Sequence, residues 1–169
     1  MNNISIIPIN NLPEFEPKYD LADEIVKSFS SNNFVLEDKD VIVITQKIVS
    51  KVEDRLIKND NESIEKLIQQ ESLEILRKRG DTVIARTKHG FICANAGIDK
   101  SNIEKGSVLL LPEDPDKTSR DIRKKIEHVT NKKISIIISD TFGRAWRKGQ
   151  TNVAIGSSGI EPLESYIGE

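Results

Sequence analysis

Residues 134–156 read ISIIISDTFGRAWRKGQTNVAIG, and the reading of this stretch decides the fold class. Ile134, Ile136, Ile137 and Ile138 form a β-branched run without usable polar alternation, the pattern of a strand covered on both faces. On that reading Asp140 and Thr141 stand at the strand's carboxyl end, where ligands of open α/β sheets collect. Thr141, Gly143, Arg144, Trp146, Arg147, Gly149 and Gln150 follow with no amphipathic period, so a loop is expected, built for backbone conformation and ligand contact. An Asp so placed can hold a magnesium ion with the Thr hydroxyl beside it, while Arg144, Arg147 and Lys148 offer donors to phosphate oxygens. The same Asp also suits a turn or a helix cap. Trp146, the only tryptophan, either stacks on a flat ring or pins the loop through its apolar face.

Upstream, Lys88–Asn102 reads KHGFICANAGIDKSN and again gathers polar residues around glycines after a short apolar run. Asp99 is the natural partner for Asp140. Magnesium sites in phosphoryl transfer use one or two protein carboxylates beside substrate phosphates, because the ion keeps several of its waters. His89 has no second histidine near it in sequence, so it is expected to be a loop residue satisfied by backbone and not a metal ligand. A third element, VIVITQKIVSK (Val41–Lys51), reads as another buried strand over Val41–Ile44 that turns polar at Gln46, Lys47, Ser50 and Lys51. Lys51 is placed to reach a phosphate.

The remaining chain alternates strand-like and helix-like patterns. Ile4–Ile9 reads as a first strand; Asp20 and Asp23 open a helix whose inner face is Leu21, Ala22, Ile25, Val26 and Phe29. Ile64, Leu67, Ile68 and Ile75 line one side of a long helix stopped by Gly80. A turn at Asp114-Pro115 precedes a helix that faces Ile122, Ile126 and Val129 inward and carries His128, and strands are expected at Val83–Ala85 and Val108–Leu111. The expected fold is α+β (mixed α/β), a mixed sheet with packed helices, in one domain over residues 1–169.

A formal charge of −2 from 25 basic and 27 acidic residues, with signs interspersed, argues against a nucleic-acid surface. The single cysteine, Cys93, excludes an intrachain disulfide and has no CxxC partner, so a small buried apolar role is expected. No long apolar span or signal-like start appears, and a cytoplasmic protein with no membrane contact is the expectation. GxxxxGK[ST] and GxGxxG are both absent; Gly156 and Gly159 in IGSSGI read as a turn, with an anion nest as the other possibility.

The chain resembles the coenzyme F420:L-glutamate ligase family. The resemblance runs through NNLPEF, DLADEIV, VITQKIVSK, ESLEILR, TKHGFICANAGIDKSN, LLPEDPDKTSRDIR, SDTFGRAWRKGQTNVAIG and GIEPLESYIGE in the family's order. A sister group described as folate γ-glutamate ligases shares these motifs. The resemblance implies a coenzyme F420 ligase-like fold, C-terminally truncated, since members continue past the position of Glu169 with further nucleotide and metal contacts.

It also implies a GTP-dependent ligase needing Mg2+ or Mn2+, helped by K+, acting as a homodimer on GTP, L-glutamate and a coenzyme F420 precursor. The family's divalent metal ligands fall on Asp99, Asp140 and Thr141. Its nucleotide contacts fall on Leu12, Pro13, Glu14 and Phe15, on Gln46 and Lys47, on Lys51 and on Asn102. Arg144 and Arg147 are added from their own chemistry, as forked clamps for phosphate or substrate carboxylate alongside the catalytic Asp140. Three positions depart from the family pattern: Ala145 stands for Pro, Asn152 for Asp and Asp54 for Gly. Two alternatives to the F420 reaction stay open: a γ-glutamate ligase acting on folate or a related acceptor, and a nonenzymatic nucleotide- and metal-binding module. A purely structural dimerisation domain is the third class.

Overall fold

The computed structural model describes residues 4–58, 64–101, 106–144 and 146–168. In chain order its elements are α1 (Leu21–Ser31), β1 (Val41–Thr45), α2 (Gln46–Val52), β2 (Leu56–Lys58), α3 (Ile64–Glu71), β3 (Ser72–Arg79), β4 (Thr82–Thr87), β5 (Ile92–Ala94), a 3-10 turn (Asn95–Gly97), β6 (Ser107–Leu109), α4 (Pro115–Thr130), β7 (Ser135–Gly143) and β8 (Gln150–Ser158). The fold is α+β, as the alternating patterns imply. One sheet is mixed, ordered β1-β7-β8, with β1 parallel and β8 antiparallel to β7; β2-β6 and β3-β4-β5 are antiparallel.

The isoleucine run forms the centre of the mixed sheet. Ile136 and Ile138 are fully buried and join Ile44, Ile155 and the inner faces of α1 and α4 in one core. Each such burial contributes roughly 1.5–3 kcal/mol. A second core gathers Leu67 and Ile68 of α3 beneath Val83 and Ala85 of β4. Leu110 packs in this second core and Leu111 in the first, so two consecutive residues hold the two halves together.

Helix ends follow their local chemistry. Asp20 caps α1 by accepting from Asp23 N at 3.2 Å, and Asp114 caps α4 by accepting from Lys117 N at 2.8 Å. Pro115 takes the first turn of α4, where its missing N–H costs nothing.

Several expectations are corrected. The strands are not covered on both faces: β1 is an edge strand with Val43 62% exposed, and Ile137 is only half-buried. β-branched residues suit a strand's open face as well as its buried one, so an unbroken run does not reveal which faces are covered. Nor does the strand stop at Asp140. Parallel pairing ends at Thr45 with Ser139, but β8 carries the ladder on through Asp140 with Val153 to Gly143 with Gln150.

The long helix ends at Glu71. Ile75 lies in β3, and Gly80, at φ 56, makes the turn into β4, because cross-strand pairing overrides the helical spacing of the sequence. Ile4–Ile9 forms no strand; Ile4 and Ile6 are each 92% exposed and find no partner strand among the described residues. Val129 points outward from α4, unlike Ile122 and Ile126, and the exposed His128 beside it joins no ion pair among the described residues. No helix among the described residues is long and apolar enough to cross a membrane.

Candidate active site

Three segments converge where the parallel pairing ends. At the carboxyl end of β1 the chain turns straight into α2, which sets Lys47 and Lys51 one turn apart on one face. Gln46, at the start of that helix, is fully buried; its Nε2 donates to Ser50 Oγ at 2.8 Å and to Leu110 O at 3.1 Å. These bonds tie α2 to the segment joining the two cores.

Asp99 approaches from the other side. Asn95, Ala96 and Gly97 take successive left-handed conformations, and Asn95 Oδ1 accepts from Val83 N at 3.0 Å to hold the reversal. A Cβ at Gly97 would lie 2.7 Å from Leu111 Cδ1 as well as in a left-handed backbone, so only glycine passes here without strain. The chain then exchanges two 2.9 Å backbone bonds between Asp99 and Leu109. The carboxylate, thus fixed, accepts from Ser101 N at 2.7 Å and from Lys47 Nζ at 2.6 Å. Asp140 reaches the same neighbourhood from β7, one position past the last parallel pair.

The electrostatics show a pair of acids sharing one cation. Burial works to raise the Asp99 carboxyl, yet hydrogen bonds from Lys47 and Ser101 outweigh it and hold the group below its ordinary value. For Asp140 burial dominates, the charge of Asp99 adds to it, and the Thr141 backbone N–H and Lys47 oppose without winning, so its carboxyl sits above the ordinary value. Cys93, buried on β5, feels Asp140 as well; burial first and that charge second push its thiol up to about 11. A carboxylate whose charge is made costlier by a second, with oxygen donors and no neutral imidazole, suits a hard divalent ion such as Mg2+ or Mn2+. Among the described residues no group of three or more His, Cys, Asp or Glu side chains could hold a metal.

Thr141 is oriented differently from its neighbour. Successive strand side chains point to opposite faces, and the Thr141 hydroxyl donates to Asn152 Oδ1 at 2.7 Å across the hairpin. Its backbone N–H is the group that serves the Asp140 carboxylate.

Most residues expected to meet the nucleotide do gather around α2. Glu14 forms an ion pair with Lys51, while Phe15 is buried and meets the Tyr19 ring edge-on at 5.8 Å. Leu12 and Pro13 are half-buried, so apolar contacts pin this loop and leave Glu14 to the lysine. The Gln46 side chain points into the core; its Oε1 is buried without a hydrogen bond among the described residues. Asn102 lies outside the described residues, as does Ala145. Asp54, where the resembling family has Gly, adopts φ 58, the backbone a glycine would take without cost.

Arg144 and Arg147 stand apart from the carboxylates, exposed at the far end of the β7–β8 hairpin with Trp146 between them. Trp146 is 100% exposed, which excludes the reading in which it pins the loop.

Two site features escaped sequence reading. One is that Lys47 pairs with an acid. The other is an aromatic brace: His89 Nε2 donates to Pro112 O at 2.8 Å and Glu113 O at 3.1 Å, its ring stacks on Phe91 at 5.8 Å, and Phe91 meets Phe142 at 5.9 Å. Backbone carbonyls thus meet the His89 Nε2, while its Nδ1 is buried without a hydrogen bond among the described residues, so the expected loop histidine is satisfied on one nitrogen only, and it steadies the strand that carries Asp140. The spacing H-x-F, with a second Phe two residues past an Asp, was the available signal.

A separate cleft of about 230 Å3 lies on the opposite face of α2, lined by Tyr19, Val49, Val52 and Ile122 among others. Its acids already have partners: Asp20 binds Lys125, Asp121 binds Lys117, and Glu53 accepts from Glu113 N and Thr118 Oγ1. The chemistry therefore concentrates at Asp99, Asp140 and Lys47.

Comparison with known proteins shows what the chain is similar to. The sequence profile described as F420-0:Gamma-glutamyl ligase matches residues 10–169. A protein of Methanococcus maripaludis named coenzyme F420:L-glutamate ligase is 43% identical, over 82% of this chain and 62% of the relative. A second from the same species is 41% identical over 90% of this chain and 65% of the relative. A relative of the same name from Methanothermobacter thermautotrophicus is 35% identical over 98% of this chain and 73% of its own length. The chain thus spans under two thirds of the length of the first two relatives.

Proposed function

The chain belongs to the F420-0:Gamma-glutamyl ligase family, and from that premise we propose that it carries the metal and nucleotide site of a GTP-dependent ligase. The ligase would join L-glutamate by an amide bond to the terminal carboxylate of a coenzyme F420 precursor. The observation that carries this reading is Lys47, poised 2.6 Å from Asp99 and in electrostatic contact with Asp140.

A carboxylate is a poor electrophile. Transfer of the γ-phosphoryl group of GTP to it yields an acyl phosphate and GDP; the glutamate amine then attacks the acyl carbon, loses a proton and expels phosphate. Asp99 and Asp140 would hold Mg2+ or Mn2+. That ion, when bound, supplies charge neutralisation between the anionic acceptor and the triphosphate. Lys47 and Lys51, one turn apart, would present ammonium groups to phosphate oxygens once released from Asp99 and Glu14. The α2 anchor at Gln46 fixes where those ammonium groups stand, which is positioning more than covalent catalysis.

The test is a GDP-release assay with GTP, Mn2+, the deazaflavin acceptor and L-glutamate. The proposal expects release that depends on glutamate and is lost in Asp140→Asn. Metal-dependent GTP binding without glutamate-dependent release would instead favour the nonenzymatic module.

A further inference from the structure

We propose that the tip of the β7–β8 hairpin is the seat of the acceptor, with Trp146 stacked on the acceptor's flat ring and Arg144 and Arg147 gripping its anionic tail. This rests on the ligase reading above and adds to it where the acceptor sits: its ring on Trp146, with its anionic tail running back along the hairpin to Asp140.

The first support is exposure. Trp146 is wholly solvated, although burying an indole is among the larger apolar gains a chain can make. The second is backbone. Trp146 sits at φ 54, an outlying conformation for a bulky residue, and the turn around it is closed by Arg147 N donating to Arg144 O at 3.3 Å. Strain of this kind clusters at ligand clamps, and here it holds the indole outward.

Charge is the third. Arg144, Arg147 and Lys148 are exposed and form no ion pair among the described residues, and no acid occurs between Gly143 and Asn152 in a chain of net charge −2. Guanidinium groups left free beside an aromatic face suit a ring with a planar anionic group attached.

Length is the fourth. At about 3.3 Å per strand residue, Gly143 lies roughly 10 Å beyond Asp140, and the tip lies farther still. A ligand with its ring on Trp146 and its reacting carboxylate at Asp140 must therefore be long. Glutamate alone cannot bridge that span; a heterocycle with a tail can. The hairpin is stiff enough to measure it, since Thr141 bonds Asn152 and Phe142 rests on Phe91.

Because Trp146 is the only tryptophan, emission excited beyond the absorption of the two tyrosines reports this residue alone. The experiment titrates the chain separately with the deazaflavin acceptor and with GTP plus Mn2+, in wild type, Trp146→Ala, Trp146→Phe and Arg144→Gln/Arg147→Gln. The acceptor is expected to quench the emission saturably and GTP to leave it unchanged. Trp146→Ala should raise the acceptor Kd about tenfold or more, given the usual worth of stacking, with the GTP Kd within about twofold and Trp146→Phe recovering most of the loss. The double Arg variant should weaken acceptor binding and flatten its salt dependence.

Equal acceptor binding by wild type and Trp146→Ala overturns the inference while leaving the ligase reading intact. So does quenching by GTP alone, which would assign the tip to the nucleotide, or an emission maximum that moves with protein concentration, which would assign it to a second copy. A wild type that binds neither GTP nor acceptor overturns the ligase reading itself.

Discussion

Lys47 Nζ lies 2.6 Å from Asp99 Oδ2, and the same ammonium also lowers the cost of charge on Asp140. One lysine thus serves both carboxylates that would hold the proposed metal ion. A cation held by the carboxylates would compete with Lys47 for the same oxygens, and on the proposed reading Lys47 would then be free to meet the nucleotide.

Lys47→Met should therefore bind Mn2+ more tightly without nucleotide, by about 2–5-fold, the range expected for losing one partly exposed ion-pair competitor. The same variant should bind GTP more weakly in the presence of Mn2+. Electron paramagnetic resonance of free Mn2+ measures the first effect and calorimetry the second. Weaker Mn2+ binding in Lys47→Met would show that the lysine supports the site and does not compete with it.

Asp140 links stability to function with a definite sign. Burial first, then the charge of Asp99, raises its carboxyl above the ordinary 3.8, so its favourable contribution to folding is present below that value and is lost as pH rises through the folded value. Asp99 runs the other way: its carboxyl is lowered, so its contribution is present above 3.8 and is lost as pH falls through the folded value. Asp140→Asn should accordingly melt at a higher temperature than wild type at neutral pH, with the gap closing toward acid, while losing metal-dependent GTP binding. Thermal melts across pH decide it. A lower melting temperature at neutral pH would mean that the carboxylate is structurally satisfied.

Cys93 is a thiol that should not react. It is buried and pushed up to about 11 by burial and by Asp140. At pH about 8 the native chain should react with a chromogenic disulfide roughly 100-fold more slowly than the chain in denaturant, in proportion to the lost thiolate. Native-state reaction at the denatured rate would place Cys93 on an accessible surface.

How much of this could be read in advance depended on the physical scale of each signal. Asp99, Asp140 and Lys51 stand out through their combination with apolar runs and glycine-rich loops, since each alone also suits a turn, a cap or a solvated surface, and Lys47 enters through the family resemblance. α1 and α4 announce themselves through caps and apolar spacing, both local. What sequence alone did not convey is nonlocal. Ile75 matches a helical face, yet a strand pairs with it across Gly80. Asp140 looks like the end of a strand because its parallel partner stops there, whereas the antiparallel partner, encoded ten and more residues later, extends the ladder. The exposure of Trp146 depends likewise on that hairpin's length. Residue pattern reports local preference; it does not report which partner arrives.

Gly156 is the sharpest case of such a nonlocal requirement. In sequence it reads as part of a turn, IGSSGI, but it lies within β8 where the strand passes under the start of α4. A Cβ built on it would fall 2.5 Å from the backbone carbon and oxygen of Pro115, closer than real contacts permit, and neither atom belongs to a side chain that can swing away. The neighbouring bond from Ser157 N to Asp116 Oδ1, 2.9 Å, depends on that close approach. Gly156→Ala must therefore push α4 off the sheet, at a cost of about 2–3 kcal/mol by the usual scale of overpacking. For a chain of this size that corresponds to a fall in Tm of roughly 5–10 °C. Gly90→Ala makes the control: its Cβ would meet nothing within 4 Å, so only the backbone cost of its φ of +90 applies. Equal Tm losses for the two variants would show that left-handed backbone strain, and not helix-to-sheet contact, limits substitution at these glycines.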